Sequence, residues 1–325
     1  MEQDCVLPQR GVPITSGGPV PRIKTRGGPR QLVRLVKALN EQQSRDVCEI
    51  GMGGLLGLRV TELPLRLGRW LVSNFDPSQM AINVCDGSYI QITNEDVAAV
   101  LGLPNGTVPI YERDSQVVGH DLHAWRVKVN KRKGNITVKA LVTHLLTLKD
   151  GGVWFKRHFC VVVVSSLIAS VSNGYANQRT VHMFREVNKI KDLDWCGYLL
   201  RSLVATRRCW VQDKSRKFMG PLLFLTLLYM DRLTVGLRDV PRSIPVFVGW
   251  TTQCVKAREA REVLAQGFGS GHLDPPLRAT DPNVGSTSVI MGCPNPREAP
   301  KPTRGQALLG ARPSMVCSRE LWGAC

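Results

Sequence analysis

The chain has 325 residues, 43% of them hydrophobic, which is enough to bury a core in one large domain or two ordinary ones. Its 43 Lys and Arg against 26 Asp and Glu leave a formal net charge of +17, which suits polyanionic partners and says nothing about fold. The longest apolar run, Phe159 to Val171, is thirteen residues where a membrane span needs about twenty, and the N-terminus has no apolar signal core, so a soluble intracellular chain without membrane contact is expected.

In that setting the ten cysteines are expected to be reduced rather than paired. They are scattered, with no Cys-x-x-Cys, and the closest His pair (His120, His123) has no cysteine nearby in sequence. A structural zinc site needs ligand pairs at short spacing, so none is expected.

Residues 1–30 are rich in Gly, Pro and Arg with no apolar period, and read as a disordered basic arm. The stretch 274–325 carries prolines too often for a helix or central strand, and reads as a disordered Pro-rich tail. The arm carries +3 and the tail +2, leaving +12 on the block 31–273. Any electrostatic function is therefore chiefly a property of that block.

The block reads as mainly α. Leu32, Leu35, Val36 and Leu39 recur at helical spacing, and a second helix is predicted from about Ser44 to Ile50, stopped by Gly51. Pro64 suits a first helical turn, Leu67, Trp70 and Leu71 supply the apolar stripe, and Asp76-Pro77 ends it. In "MAINVCDGSYIQI", Ile82 and Val84 alternate before the Asp86-Gly87 turn and Ile90 and Ile92 after it, which predicts one small β-hairpin.

In "ITNEDVAAVLGLP", Thr93 is positioned to cap a helix from Asn94, with Asp96 as the capping-box acid. Val97, Val100 and Leu101 form its buried stripe, Gly102 suits the left-handed C-terminal position, and Pro104 prevents continuation.

From Thr107 to Asn135 the pattern breaks into a polar, basic stretch that predicts a long loop or insertion. A helix resumes with Thr137 as its cap and runs through Leu148. "GGVWFKRHFCVVVVSSLIASV" fits a strand by propensity and a buried helix by length; the length favours helix. "TVHMFREVNKIKDL" and "DWCGYLLRSLVATRRCW" predict two more. "KFMGPLLFLTLLYMDRL" is apolar nearly all round and should be central, and the last helix stops at Gly267.

Several of these blocks carry a family resemblance. "GMGGLLGLRVTELPLRLGRWLVSNFDP", "ITNEDVAAVLGLP", "SNGYANQ", "NKIKDLDWCGYLL" and "GPLLFLTLLYMDRL" occur in the order seen in the plant mobile domain, whose members are often labelled aminotransferase-like. The block "GWTTQCVKAREAREVLAQGFGSG" is similar to the next block of many grass members. The resemblance covers roughly residues 31–273. It implies a transposon-related origin, and a nuclear role in silencing or genome maintenance. Some grass members are joined to a SUMO-protease-like domain; here only the Pro-rich tail follows Gly271, so no such activity is expected, and a truncated non-functional copy is an alternative.

The aminotransferase label asks for a Schiff-base lysine, a carboxylate for the pyridinium nitrogen and a phosphate cradle, and no stretch supplies that context. The alternating β/α pattern of such enzymes is missing too, so no cofactor and no small-molecule substrate is indicated. His158 and Cys160 are two apart, on different faces of a helix, and Cys160 opens a buried run. "GFGSG" at Gly267 to Gly271 follows a helix and lacks the Lys-Ser/Thr of a phosphate loop, so it reads as a helix stop. A metal-dependent nuclease relic of a transposase would need convergent carboxylates. Asp192 and Asp194 are the candidates, with a helix cap as their plain alternative.

Two basic clusters remain. One is Arg126, Lys128, Lys131, Arg132 and Lys133; the other is Arg201, Arg207, Arg208, Lys214, Arg216 and Lys217 around Trp210. Cations with an interleaved aromatic suit phosphate contact with one stacking platform; the plain alternative is two solvated faces with Trp210 in the core. The expectation is a non-enzymatic nuclear module contacting DNA or chromatin-associated proteins with weak sequence preference. A pure protein-interaction scaffold is the alternative.

Overall fold

A computed structural model describes residues 21–114, 119–130, 134–265 and 267–278, all within one compact unit. The chain is mainly α, as its periodicity predicts. Helix α1 (Arg30–Lys37) buries Leu32, Val33, Leu35 and Val36. Helix α2 (Glu41–Glu49) starts earlier than expected, because Asn40 and Gln43 form a reciprocal cap. The Gln43 N–H donates to Asn40 Oδ1 at 2.8 Å, and the Asn40 N–H donates to Gln43 Oε1 at 3.0 Å. Gln43 is fully buried, and its amide also donates to the Leu148 carbonyl at 2.9 Å.

Helix α3 (Leu65–Asn74) follows Pro64 and runs directly into β1 (Phe75–Asp76). Strand β1 pairs antiparallel with β2 (Ala81–Asn83), and β2 with β3 (Tyr89–Gln91). The predicted hairpin is thus the larger part of a three-stranded sheet, with buried Ile82 opposite buried Ile90. Helix α4 (Asn94–Leu101) has the predicted boundaries. The Asp96 N–H donates to Thr93 Oγ1 at 3.3 Å, the Thr93 N–H donates to Asp96 Oδ2 at 2.8 Å, and Gly102 turns left-handed at φ 59°.

The stretch from Thr107 to Asn135 corrects the expectation of a long loop. Val108–Pro109 forms β4, which pairs in parallel with β5 (Leu193–Asp194), and His120–Lys128 forms helix α5. Only Leu122, Trp125 and Arg126 of α5 are buried, a stripe too short to stand out in a polar sequence.

Helix α6 (Val138–Leu145) begins at the predicted Thr137 cap, where the Ala140 N–H donates to Thr137 Oγ1 at 3.1 Å. The β-branched run is helical, as its length indicated: α7 (Val153–Val163) continues as a π-turn through Ile168. The helix expected in "TVHMFREVNKIKDL" is instead two 3-10 turns, Val181–Phe184 and Val187–Asp192. Glu186 between them is extended at φ −98°, ψ 93°, which interrupts the helical path.

Helix α8 (Trp195–Gln212) is the longest among the described residues, and α9 (Leu222–Arg232) is buried at every position. The latter packs against α3 and α4, which makes it the centre its sequence predicts. Strand β6 (Leu233–Thr234) pairs antiparallel with β7 (His272–Leu273), beyond α10 (Thr252–Leu264).

Both expected block boundaries shift outward. Ile23, assigned to the arm, is 2% exposed, and its N–H donates to the Leu65 carbonyl at 2.9 Å. Thr25 bridges Phe218. At the other end Leu277 is buried and Arg278 pairs with Asp96 at 3.0 Å. These residues fold with the block because a few apolar side chains and ion pairs reach it, which composition does not reveal. The rest of the expected arm and tail lies outside the described residues. Cys85, Cys160, Cys196, Cys209 and Cys254 hold free thiols.

Candidate nucleic-acid interface

Helix α8 is anchored at its start by Asp194, whose Oδ1 accepts the Gly197 N–H at 2.6 Å. Its inner face carries Trp195, Cys196, Leu199, Leu203 and Trp210. Its outer face carries Arg201, Ala205, Arg208 and Gln212, all exposed, at spacings of four, three and four. At 1.5 Å per residue, Arg201 and Arg208 stand about 10 Å apart along the axis. Past the helix, Asp213 Oδ1 accepts the Ser215 N–H at 2.9 Å, which turns the chain and leaves Lys214, Arg216 and Lys217 exposed.

The charges on this face are unevenly committed. Arg201 is paired with Asp194 at 3.1 Å, and Arg216 with Asp213 at 3.2 Å. Arg207 lies half-buried and donates to the Ser73 carbonyl at 3.1 Å; burial pulls its pKa down, and the Asp76 carboxylate opposes that shift. Arg208, Lys214 and Lys217 are exposed and have no ion pair among the described residues.

Two predicted site residues are corrected. Trp210 is 2% exposed, so it presents no face for a base to stack on. The guanidiniums of Arg69 and Arg207 lie 5.7 and 5.9 Å from its ring centre. Its place was legible: Leu199, Leu203 and Trp210 are spaced four and seven apart, a core stripe. Arg126 is 9% exposed, and its Nε donates to Gln178 Oε1 at 2.9 Å inside the fold. It sits four residues after Leu122 on the buried side of α5, a placement visible only once α5 is recognised.

Lys128 is exposed, with its Nζ 5.6 Å from the Trp154 ring centre. Lys131, Arg132 and Lys133 lie outside the described residues. Among the described residues, the predicted set therefore reduces to the α8 face and the turn after it, with Lys128 apart on α5.

Beside the arginines, α8 and the turn before β2 enclose a shallow groove of about 290 Å³. Met80, Leu200, Val204 and Ala205 form its apolar lining, and Arg201 and Arg208 flank it. Sequence reasoning missed this groove, because Met80 reaches α8 only through the tertiary fold.

The chain belongs to the family described as a domain of unknown function (DUF8566). The family model matches residues 25–226, from the Thr25 bridge to the middle of α9. No curated protein and no solved structure matches the chain. The α8 face lies wholly inside the DUF8566 match, while α10 and the segment after it lie beyond it.

The structure places the residues weighed for chemistry. Cys160 is fully buried and burial pushes its thiol far up, away from the reactive thiolate. His158 is fully buried, and burial pushes it down to about 3, with the neighbouring His144 and Arg157 adding to the shift. Asp194 spends one carboxylate oxygen on the α8 cap and the other on Arg201, while Asp192 is exposed. Among the described residues no group of three or more His, Cys, Asp or Glu is placed to hold a metal ion. Among them, too, no helix is long and apolar enough to cross a membrane. The glycines after α10 serve packing: the Gly269 N–H donates to the Tyr229 hydroxyl at 2.8 Å, and its carbonyl accepts the Cys85 N–H at 3.0 Å.

Proposed function

We propose that this chain is a non-enzymatic interaction module that contacts duplex nucleic acid through the C-terminal half of α8 and the turn after it. The observation that carries the reading is the group Arg208, Lys214 and Lys217, exposed and free of acidic partners among the described residues. Cations of that kind displace condensed counterions from phosphates without reading base edges. The sequence resemblance to the plant mobile domain supports a transposon-related origin and a nuclear setting for this contact.

Duplex binding measured against salt tests the proposal. The wild-type chain should bind at low salt, and Arg208→Ala/Lys214→Ala/Lys217→Ala should flatten the slope of log K on log salt by about 2.7, the counterion release of three contacts. Between 50 and 200 mM salt those three contacts correspond to a loss of about 40-fold in wild-type affinity. Absence of duplex binding at low salt, or an unchanged slope in the triple variant, refutes it.

The apolar groove favours a second reading, in which an acidic, partly apolar segment of a chromatin-associated protein lies between Arg201 and Arg208. Ala205→Leu fills part of that groove while leaving the charges of Arg208, Lys214 and Lys217 intact. Partner binding lost in Ala205→Leu with the salt slope retained assigns the groove to protein.

A further inference from the structure

A second concavity lies away from α8, between the segment 22–31, the segment 61–65 and α10. It encloses about 680 Å³, within the roughly 300–1,000 Å³ range of small-molecule sites. Its walls are held in place before any ligand arrives. Ile23 is buried and hydrogen-bonded to Leu65, and the Phe218 N–H donates to the Lys24 carbonyl at 2.7 Å. Gly27 lies against Ser170, so closely that a β-carbon there would come within 2.5 Å of its hydroxyl. On the far side the Thr61 N–H donates to Thr252 Oγ1 at 2.8 Å, which ties that segment to α10.

The charges lining this cavity are unequal in their commitments. Arg22, Arg26, Arg30 and Lys256 face it with only two carboxylates, Glu62 and Glu259. Glu62 is engaged by both Arg30 and Lys256. Glu259 Oε1 accepts the N–H groups of Arg66 and Leu67 at 2.7 and 2.9 Å, closing the first turn of α3. Arg22 and Arg26 are exposed at the edge of the cavity and have no ion pair among the described residues. Gln31 also lines the space, and its buried amide oxygen has no hydrogen-bond partner. An amide can turn to present its N–H₂ instead.

We propose that this cavity binds a phosphate monoester carried on a small organic body, with Arg22 and Arg26 holding the phosphate. Two free guanidiniums match a dianion, and their planar forks suit its oxygens. The cavity volume leaves room for a body of nucleoside size beyond the phosphate, with the Gln31 amide available to it. The same phosphate chemistry is offered by a free mononucleotide and by the 5′-phosphorylated end of a strand. The site shares no residue with the α8 face and stands whether or not α8 binds duplex.

Titration calorimetry on the full chain tests this with adenosine 5′-monophosphate, adenosine, inorganic phosphate and a hexanucleotide with and without its 5′-phosphate. The monophosphate should bind at least about tenfold more tightly than adenosine, and Arg22→Ala/Arg26→Ala should remove that preference. Gly28→Leu is an independent steric probe. Gly28 lines the cavity and a β-carbon there meets no atom within 4 Å, so a side chain can start from it without displacing protein. It should weaken the monophosphate by about tenfold or more with the melting temperature unchanged, by loss of ligand volume.

Binding by the phosphorylated hexanucleotide alone supports the phosphate site and assigns its source to a strand end. Equal binding of adenosine and its monophosphate overturns the proposal. So does absence of binding by any phosphorylated probe, or binding that survives both Arg22→Ala/Arg26→Ala and Gly28→Leu. The α8 triple variant should leave these affinities unchanged; loss there with retention in the cavity variants moves the phosphate site to α8.

Discussion

His158 makes a sharp physical prediction, because its ring is fully buried and neither nitrogen has a hydrogen-bond partner. It sits among aromatic rings: Trp125, His144 and Trp154 have centres 5.7, 5.4 and 6.0 Å from its own. Charging it there would strand a cation in an apolar site, so burial depresses its pKa to about 3 against 6.5 for a free histidine; the nearby Trp154 carbonyl opposes the shift only weakly.

The unfolded chain therefore takes up a proton between pH 6.5 and 3 that the folded chain refuses. Stability is unaffected above that window, falls as pH drops through it, and levels off below it. From pH 7.5 to pH 5 the loss from this residue is about 2 kcal/mol, rising to about 5 kcal/mol below pH 3. Urea denaturation of wild type and His158→Phe at the two pH values isolates this term. The variant should lose about 2 kcal/mol less than wild type on acidification, since the other histidines are common to both. At pH 7.5 its stability should lie within about 1 kcal/mol of wild type, since no hydrogen bond is removed. A proton NMR titration placing His158 near 6.5, or equal acid losses in the two proteins, refutes the reasoning.

Other consequences are accessible to the same denaturation assay. Gly102→Ala should cost about 2 kcal/mol or more, since Gly102 turns at φ 59° and an added β-carbon would lie 2.8 Å from Pro245 Cγ. Glu262→Leu should cost about 2–3 kcal/mol: it removes one of the two carboxylates paired with buried Arg258 and the acceptor of the Tyr229 hydroxyl, while Asp239 still pairs with Arg258 at 3.2 Å. Arg258→Met/Glu262→Leu should recover part of that loss, and a double variant worse than Glu262→Leu would show that the pair itself stabilises the fold. Asp194→Ala should destabilise the fold by about 1 kcal/mol through the lost α8 cap. If Asp194 served a nuclease site instead, the same variant would abolish magnesium-dependent cleavage at unchanged stability.

Much of the architecture is determined locally and is legible in sequence for that reason. Thr93, Asp96, Gly102 and Pro104 each act on backbone groups within a few residues, so "ITNEDVAAVLGLP" specifies where α4 starts and stops. The same holds for the Thr137 cap and for α9, whose apolar surface all round requires burial all round. The Asn40-x-x-Gln43 cap obeys an equally local rule, and it places the start of α2 ahead of the apolar residues that the period alone brings out.

Tertiary structure decided what depends on distant partners. Helix α5 exists because Leu122 and Trp125 find a core, and Ile23 and Leu277 extend the fold past its compositional edges. The functional surfaces depend most on such partners. Formal charge counted eleven cationic candidates alike, but a basic side chain is available only if no carboxylate or carbonyl in the fold has claimed it. Asp194 claims Arg201, Asp213 claims Arg216, Gln178 claims Arg126 and Ser73 claims Arg207, which leaves, among the described residues, Arg208, Lys214 and Lys217 on and just after α8, Lys128 on α5 and, unforeseen, Arg22 and Arg26 at the cavity beside α1. Local sequence carries the short-range hydrogen bonds that bound each helix; availability for binding depends also on partners far along the chain, Ser73 for Arg207 and Gln178 for Arg126, which only the folded chain brings together.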